Sequence, residues 1–360
     1  MAAAAVGLSP PAVPRVSRHR PGAPRAGRRM NAQPAHPAYV PALDGWRGMA
    51  IGLLLVGHFM PLPGINLGRV GVSLFFVLSG MLMARLLFID KVAIGHFYRR
   101  RISRIIPAHL AFIILTSLAW LALGLPITLS EILPPLFFFN NYVLSSAVQF
   151  GHIWSLSVEE HSYIALSLVA IAVRAWRRAP LVILLALAAA CAAMIIWYQR
   201  VYPPGPELYA HMLHTETAAY GIVLSAFFCV LFHRRGVPRT NGVMVPLLLG
   251  GGVVLHWWSV PPAIAQVVGV AAFALAVNLL PRAAAPLQAL FSLRPLRQLG
   301  LWSFSLYLWQ QPFYAACLKK ALPLPLALAG AAALGIASYY LIEGPARRYL
   351  NARWSPARAA

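Results

Sequence analysis

From residue 48 onward, apolar runs of about twenty residues alternate with short polar and basic stretches, the spacing expected of helices crossing a hydrocarbon layer about 30 Å thick. The pattern predicts an all-α, polytopic membrane protein with ten transmembrane helices. They fall over 48–63, 70–88, 106–124, 153–174, 180–198, 212–233, 242–257, 261–280, 298–320 and 324–342. The stretch 125–152 is also apolar, but Pro134 and Pro135 break it. It is expected to cap a cavity at the membrane interface or to re-enter, not to span. Residues 1–38 are rich in Pro, Ala and Arg and contain no apolar run. They read as a disordered arm with no signal peptide, Met30 being an alternative start. The expected organisation is therefore an arm over 1–38, a membrane domain over 39–350 and a tail over 351–360, with no soluble domain after the last helix.

Composition sharpens this picture. The 360 residues are 60% hydrophobic and only 11% charged, fewer charges than a soluble domain of this length carries. A net charge of +22 suggests nucleic acid until the charges are placed. With a cytoplasmic N-terminus, the outer side keeps only Arg69, Arg200, Lys319 and Lys320, and the other 26 of the 30 Lys and Arg fall inside. They occupy the arm through Arg47, then Arg85–Arg104, Arg174–Arg178, Arg234–Arg239, Arg282–Arg297 and the tail from Arg347. That bias is the positive-inside rule, so both termini are expected in the cytoplasm of a cell-membrane protein and nucleic acid is not an expected partner. Cys191, Cys229 and Cys317 all lie in apolar runs, without disulfide or metal-ligand spacing, and read as packing residues; no metal is expected.

Candidate chemistry concentrates in a few segments. In YVPALDGWRGMAIGLLLVGHFM, residues 39–60, an Asp-Gly-x-Arg-Gly turn opens an apolar helix that then buries a histidine. Arg47 and His58 are eleven residues apart, about 16 Å along one helix face. An imidazole at that depth is a functional candidate; the plain alternative is a histidine sealed by one hydrogen bond from a neighbouring helix. In HIWSLSVEEHSYIAL, Glu160 falls at a similar depth, so the two could face one cavity; the alternative is a carboxylate that caps or snorkels at the helix start. In HFYRRRISRIIPAH, Arg101 and Arg104 stand i, i+3 on a short helix running into Pro107, a cationic fork suited to phosphate or a lipid headgroup, or simply an orientation signal. Ser73, Ser79 and Gly80 read mainly as small residues permitting close helix contact, with catalysis the lesser reading. Gln310 and Gln311 beside Pro312 need partners in a membrane span, and a kink there would line the cavity with Gln310. His109, His211, His214 and Glu216, near helix ends, carry little weight.

Taken together these segments resemble acyltransferase family 3, the integral-membrane acyltransferases that modify sugars and other hydroxyl acceptors. The matching stretches are LDGWRGMAIGLLLVGHF, GVSLFFVLSGMLM, FYRRRISRIIPAH, IWSLSVEEHSYI, SFSLYLWQQP and YYLIEGPARRYL, in the family's order over residues 43–350. The resemblance implies a ten-helix enzyme that moves an acyl group, commonly acetyl, from acyl-coenzyme A to an acceptor hydroxyl, with the acyl donor as co-substrate and no permanently bound cofactor. It implies catalytic roles for His58, Arg47 and Glu160, and donor binding by Arg101, Arg104 and Arg47. Asp44, Ser79, Trp154, Tyr163 and Gln310 form the supporting set. Three positions depart from the family's pattern: Gln310 stands where many relatives carry His, Gly344 replaces a usual basic residue and His161 a usual Gln. The esterase-like domain that some relatives append is not expected, which places the chemistry in the membrane unit.

Physically, a hydroxyl becomes a competent nucleophile when a neutral imidazole takes its proton. Arg47, oriented by Asp44, would hold donor phosphate or thioester, while Arg101 and Arg104 would bind coenzyme A phosphates from the cytosol. The acceptor, a hydroxyl of a glycan, glycolipid or small molecule, would reach His58 beside Glu160 from the outer side. Two other classes compete: a transporter or proton relay, built from the same buried His and Glu, and a non-catalytic scaffold for polysaccharide assembly. No inverted repeat supports the transporter.

Overall fold

The computed structural model of the protein describes residues 40–143, 148–173 and 179–354. The arm expected over 1–38, the arginines between 174 and 178 and the last six positions of the tail lie outside the described residues. The described residues are helical, with no strand among them. In chain order the helices are α1 (Pro41–Phe59), α2 (Leu67–Ala84), α3 (Ile94–Ala122), α4 (Leu129–Leu136), α5 (Trp154–Ala172), α6 (Ala179–Val201), α7 (Pro206–His211) and α8 (Thr215–Ala218). There follow α9 (Tyr220–Arg235), α10 (Met244–Val254), α11 (Pro262–Ile264), α12 (Val270–Leu279), α13 (Ala285–Phe291), α14 (Arg294–Leu318), α15 (Leu324–Ser338) and α16 (Gly344–Trp354). A tight helical turn, Val148–Ile153, leads into α5.

Among the described residues, six helical stretches are long and apolar enough to cross a membrane: Leu67–Ile89, Ile94–Ala122, Ala179–Val201, Thr215–Arg235, Pro262–Arg282 and Leu324–Trp354. A shorter apolar helix, α10, adds to them. The long helices α1, α5 and α14 fall outside this set, and the reason is chemical. Asp44, Arg47 and His58 lie in α1, Glu159 and Glu160 in α5, and Arg294, Arg297, Gln310 and Gln311 in α14. Polar and charged candidate residues thus interrupt the apolar runs of α1, α5 and α14.

Several expected boundaries move. Helix α1 starts at Pro41, seven residues before the apolar run, so Asp44 and Arg47 lie within it instead of in a turn at its mouth. Proline suits a first helical position because its missing N–H has no partner there, and Asp44 favourably meets the positive end of the helix. Helix α3 starts at Ile94 and runs unbroken through Pro107, which makes Arg101 and Arg104 part of a long helix and not of a connecting loop. Helix α14 likewise continues past Pro312. In the 125–152 segment Pro134 and Pro135 fall in the last turn of α4, which ends at Leu136 and is too short to span; its start is capped reciprocally by Thr128 and Glu131.

Helix α1 packs between α2 and α14. The α1–α14 crossing is a backbone approach: a Cβ added to Gly48 would lie 1.9 Å from the Leu296 carbonyl oxygen, and one on Gly300 would lie 1.9 Å from the Asp44 carbonyl oxygen. Fully buried Trp46 donates to the Leu74 carbonyl of α2 at 2.9 Å and stacks on Phe291 of α13. These contacts pin α1 at the centre of the described unit and present its two polar ends, Asp44–Arg47 and His58, to different partners.

Candidate active site

His58 occupies the last turn of α1, half-buried. Its Nδ1 lies 2.8 Å from Gln310 Oε1 on α14, and its ring stacks on Tyr314 with centroids 4.5 Å apart. Gln310 is fully buried. Its amide nitrogen donates to Gln311 Oε1 at 3.1 Å, and Gln311 in turn donates to the Val148 carbonyl at 2.9 Å. The glutamines therefore find their partners in each other, in His58 and in the turn before α5. The single hydrogen bond of the plain reading is present, but it engages only one ring nitrogen. Nε2 borders Gly68 on α2, where an added Cβ would stand 3.3 Å from it.

A second imidazole lies nearby. His152 is buried between Phe112 and Tyr307 and close enough to His58 for the two rings to interact electrostatically. Pro312 lacks the N–H that would bond the Leu308 carbonyl in a regular helix, and that carbonyl faces the His152 ring. Neither ring nitrogen of His152 has a hydrogen-bond partner among the described residues. Tyr307 donates to the His152 backbone carbonyl and pairs with Ser155 at 2.6 Å, which fixes the head of α5 against α14.

The arginines gather toward the other end of α1. Arg47 Nη1 meets Asp44 Oδ1 at 2.9 Å, as expected, with Asp44 buried. Arg101 lies over the Tyr163 ring, 3.3 Å from its centroid, and its Nη2 is 3.6 Å from Glu160 Oε1 and 4.0 Å from Glu159 Oε2. Glu159 is held by Ser79 at 2.6 Å and by the Tyr163 hydroxyl at 2.9 Å. Ser79 is thus a polar anchor for Glu159, not merely a small spacer; its neighbour Gly80 supplies the close contact, against the Ile222 backbone. Arg104 forms no ion pair among the described residues; its electrostatic neighbours include Arg47, Arg101, Arg347 and Glu343, whose carboxylate accepts from Ser305 at 2.7 Å. Arg47 is met by Asp44, and Arg101 by Glu159 and Glu160, which leaves Arg104 and Arg347 with Glu343 as the part of the cluster that could take a bound anion.

The structure brings together what the sequence placed separately, with two corrections. The charged partner of Glu160 is Arg101, not His58; Oε1 of Glu160 accepts no hydrogen bond, so the two are linked by ion pairing alone. Arg101 is not a free prong of a phosphate fork either, because two carboxylates answer its charge. Trp154 packs edge-on against Phe76 and supports the start of α5. His152, Gly68, Glu343 and Arg347 were not singled out as site residues from the sequence, and Gln311 was marked only as needing a partner. A signal existed for two of them: His152 heads the same segment as Trp154 and Glu160, and Glu343 is one of only eight acidic residues in the chain.

A family model described as an acyltransferase domain matches residues 40–343. The chain is 24% identical over 321 residues to the peptidoglycan O-acetyltransferase OatA of Listeria monocytogenes, covering 76% of this chain and 49% of that protein. It is 25% identical over 326 residues to the putative peptidoglycan O-acetyltransferase YrhL of Bacillus subtilis, covering 77% and 49%. It is 30% identical over 152 residues to the O-acetyltransferase OatA of Staphylococcus aureus, covering 37% and 25%. The chain thus spans about half the length of the curated relatives it matches along most of its own length. No solved structure matches it.

Proposed function

The chain belongs to acyltransferase family 3 and is a multi-pass membrane protein, and from that premise we propose that it transfers an acyl group, acetyl first among candidates, from cytosolic acyl-coenzyme A to a hydroxyl of a glycan, glycolipid or small acceptor. The reading places ten spans in the plasma membrane, with both termini and the arginine-rich end of α1 on the cytoplasmic side. The names of the relatives make a cell-wall glycan the leading acceptor class.

In this reading the donor phosphates bind beside Arg104, Arg347 and Arg47, whose guanidinium groups can give paired hydrogen bonds to phosphate oxygens. The extended pantetheine arm then carries the thioester along α1 toward His58, about 16 Å away. Neutral His58 takes the proton of the acceptor hydroxyl on Nε2, and the oxygen attacks the thioester carbonyl carbon. Collapse of the tetrahedral intermediate breaks the carbon–sulfur bond, and the coenzyme A thiolate leaves with the proton returned by His58. The observation that carries the proposal is an imidazole held by one nitrogen, with the other facing a glycine, on the same helix as the cationic end.

A transporter or proton relay remains the competing class, and the linked Arg101, Glu159 and Glu160 pairs are the feature that favours it. Purified protein in liposomes, given radiolabelled acetyl-coenzyme A and glycan fragments, decides between them. Covalent label on the acceptor supports the enzyme; passage of label without transfer supports the transporter.

A further inference from the structure

The two glutamines of α14 explain how a histidine in this position is kept ready to act as a base. The Val148 carbonyl can only accept, so Gln311 must present its amide nitrogen to it. That turns Gln311 Oε1 toward Gln310, and an amide oxygen also can only accept, so Gln310 must present its own nitrogen there. Gln310 Oε1 is then the atom that faces His58 Nδ1, 2.8 Å away, and Nδ1 must carry the hydrogen. In a neutral imidazole this leaves the lone pair on Nε2, the nitrogen that borders Gly68.

We propose that Gln310 and Gln311 are positioning residues which, through a one-way chain of amide hydrogen bonds anchored on the Val148 carbonyl, lock His58 in the Nδ1–H tautomer and so dedicate Nε2 to the acceptor hydroxyl. The inference rests on the base role of His58 for its functional meaning, but the tautomer is a property of the resting protein. Burial gives the chain its directionality, since Gln310 is wholly enclosed and Gln311 nearly so. A buried amide that turned over would set oxygen against oxygen, or nitrogen against nitrogen, at its neighbour. Stacking of His58 on Tyr314 holds the ring plane, so the chain has only the choice of tautomer left to make. The same arrangement accounts for adjacent glutamines beside a proline in a membrane helix: one reaches the base, and the other reaches across to the turn before α5.

The test uses the full-length protein in lipid nanodiscs, labelled with ¹⁵N-histidine, with the His58 signals assigned by their loss in His58→Ala. The wild-type protein should show a protonated Nδ1 and an unprotonated, pyridine-like Nε2. Gln310→Met, similar in shape but with no acceptor, should shift His58 toward Nε2–H and lower turnover about 10- to 100-fold, the usual effect of losing a group that orients a functional histidine. Gln310→Glu, which still offers an oxygen to Nδ1 but no donor to Gln311 Oε1, should keep the hydrogen on Nδ1 and recover part of that turnover. Nε2–H in the wild type, or an unchanged tautomer in Gln310→Met, overturns the proposal; if Gln310→Met does not fold, the wild-type and Gln310→Glu spectra decide it. Normal turnover by His58→Ala would instead remove the base role, while the spectra would still decide the tautomer.

Discussion

At the scale of single residues, Arg101 and Arg104 share a helix face by sequence but differ in their surroundings. Arg101 compensates two carboxylates, and its guanidinium covers Tyr163. Arg101→Ala should therefore lower stability by about 1–3 kcal/mol, read as the midpoint of thermal unfolding in detergent, because it strands Glu159 and Glu160 in a half-buried site. Arg104 forms no ion pair among the described residues, so Arg104→Ala should leave stability nearly unchanged. It should instead weaken acyl-coenzyme A binding by about 1–3 kcal/mol, measured by titration calorimetry, the loss being smaller at high salt. The reverse pattern, donor binding lost with Arg101 alone, would return the phosphate site to the Arg101 side of the cluster. Glu160 accepts no hydrogen bond from Arg101, so Glu160→Gln removes only an ion pair from the resting protein. A large loss of turnover with unchanged stability would assign Glu160 to the acceptor.

At the scale of elements, the position of α1 depends on backbone contacts that admit no side chain. Gly48→Ala would drive a methyl group into the Leu296 carbonyl and should destabilise the protein by about 1–3 kcal/mol, whereas Gly52→Ala meets nothing within 4 Å and should be neutral or slightly stabilising. Equal thermal midpoints for the two variants would contradict the described α1–α14 crossing. Gly68→Ala is a different case. Its methyl would stand 3.2 Å from His58 Cδ2 and 3.3 Å from Nε2, contacts the ring can absorb by a small shift. It should leave folding and donor binding intact while suppressing turnover, and normal turnover in purified Gly68→Ala would show that the acceptor arrives from another side. Much at this scale was legible in the sequence. The apolar runs marked the long helices, and the polar residues interrupting those runs marked the candidate site. Helix starts were less legible, because α1 and α3 begin in polar segments whose helicity comes from packing on neighbouring helices and not from their own apolar pattern. The pairing of Glu160 with Arg101 was hidden for a related reason: depth along a helix can be counted from the sequence, but the direction a side chain faces depends on how the helices rotate against one another. The role of Gln311 was out of reach because its partner, the Val148 carbonyl, is backbone and leaves no residue-type signal.

At the scale of the whole molecule, the charge asymmetry and the helix order together give a topology that can be tested without any substrate. Reporter fusions at Lys91 and Arg239 should report cytoplasm, and fusions at Gly205 and Lys320 the opposite side. A cytoplasmic signal at Gly205 would contradict the ten-span arrangement. That orientation would place the arginine-rich end of α1 toward the cytosol and His58 toward the far side, as the proposed reaction requires. The central claim is that His58 Nε2 removes the acceptor proton. The most direct test is single-turnover acetyl transfer by the purified, reconstituted protein, comparing wild type with His58→Ala at matched acetyl-coenzyme A occupancy. The account predicts a loss of about 10²- to 10⁴-fold in the transfer step with donor affinity and thermal midpoint unchanged. Transfer at near-wild-type rate by His58→Ala would contradict it.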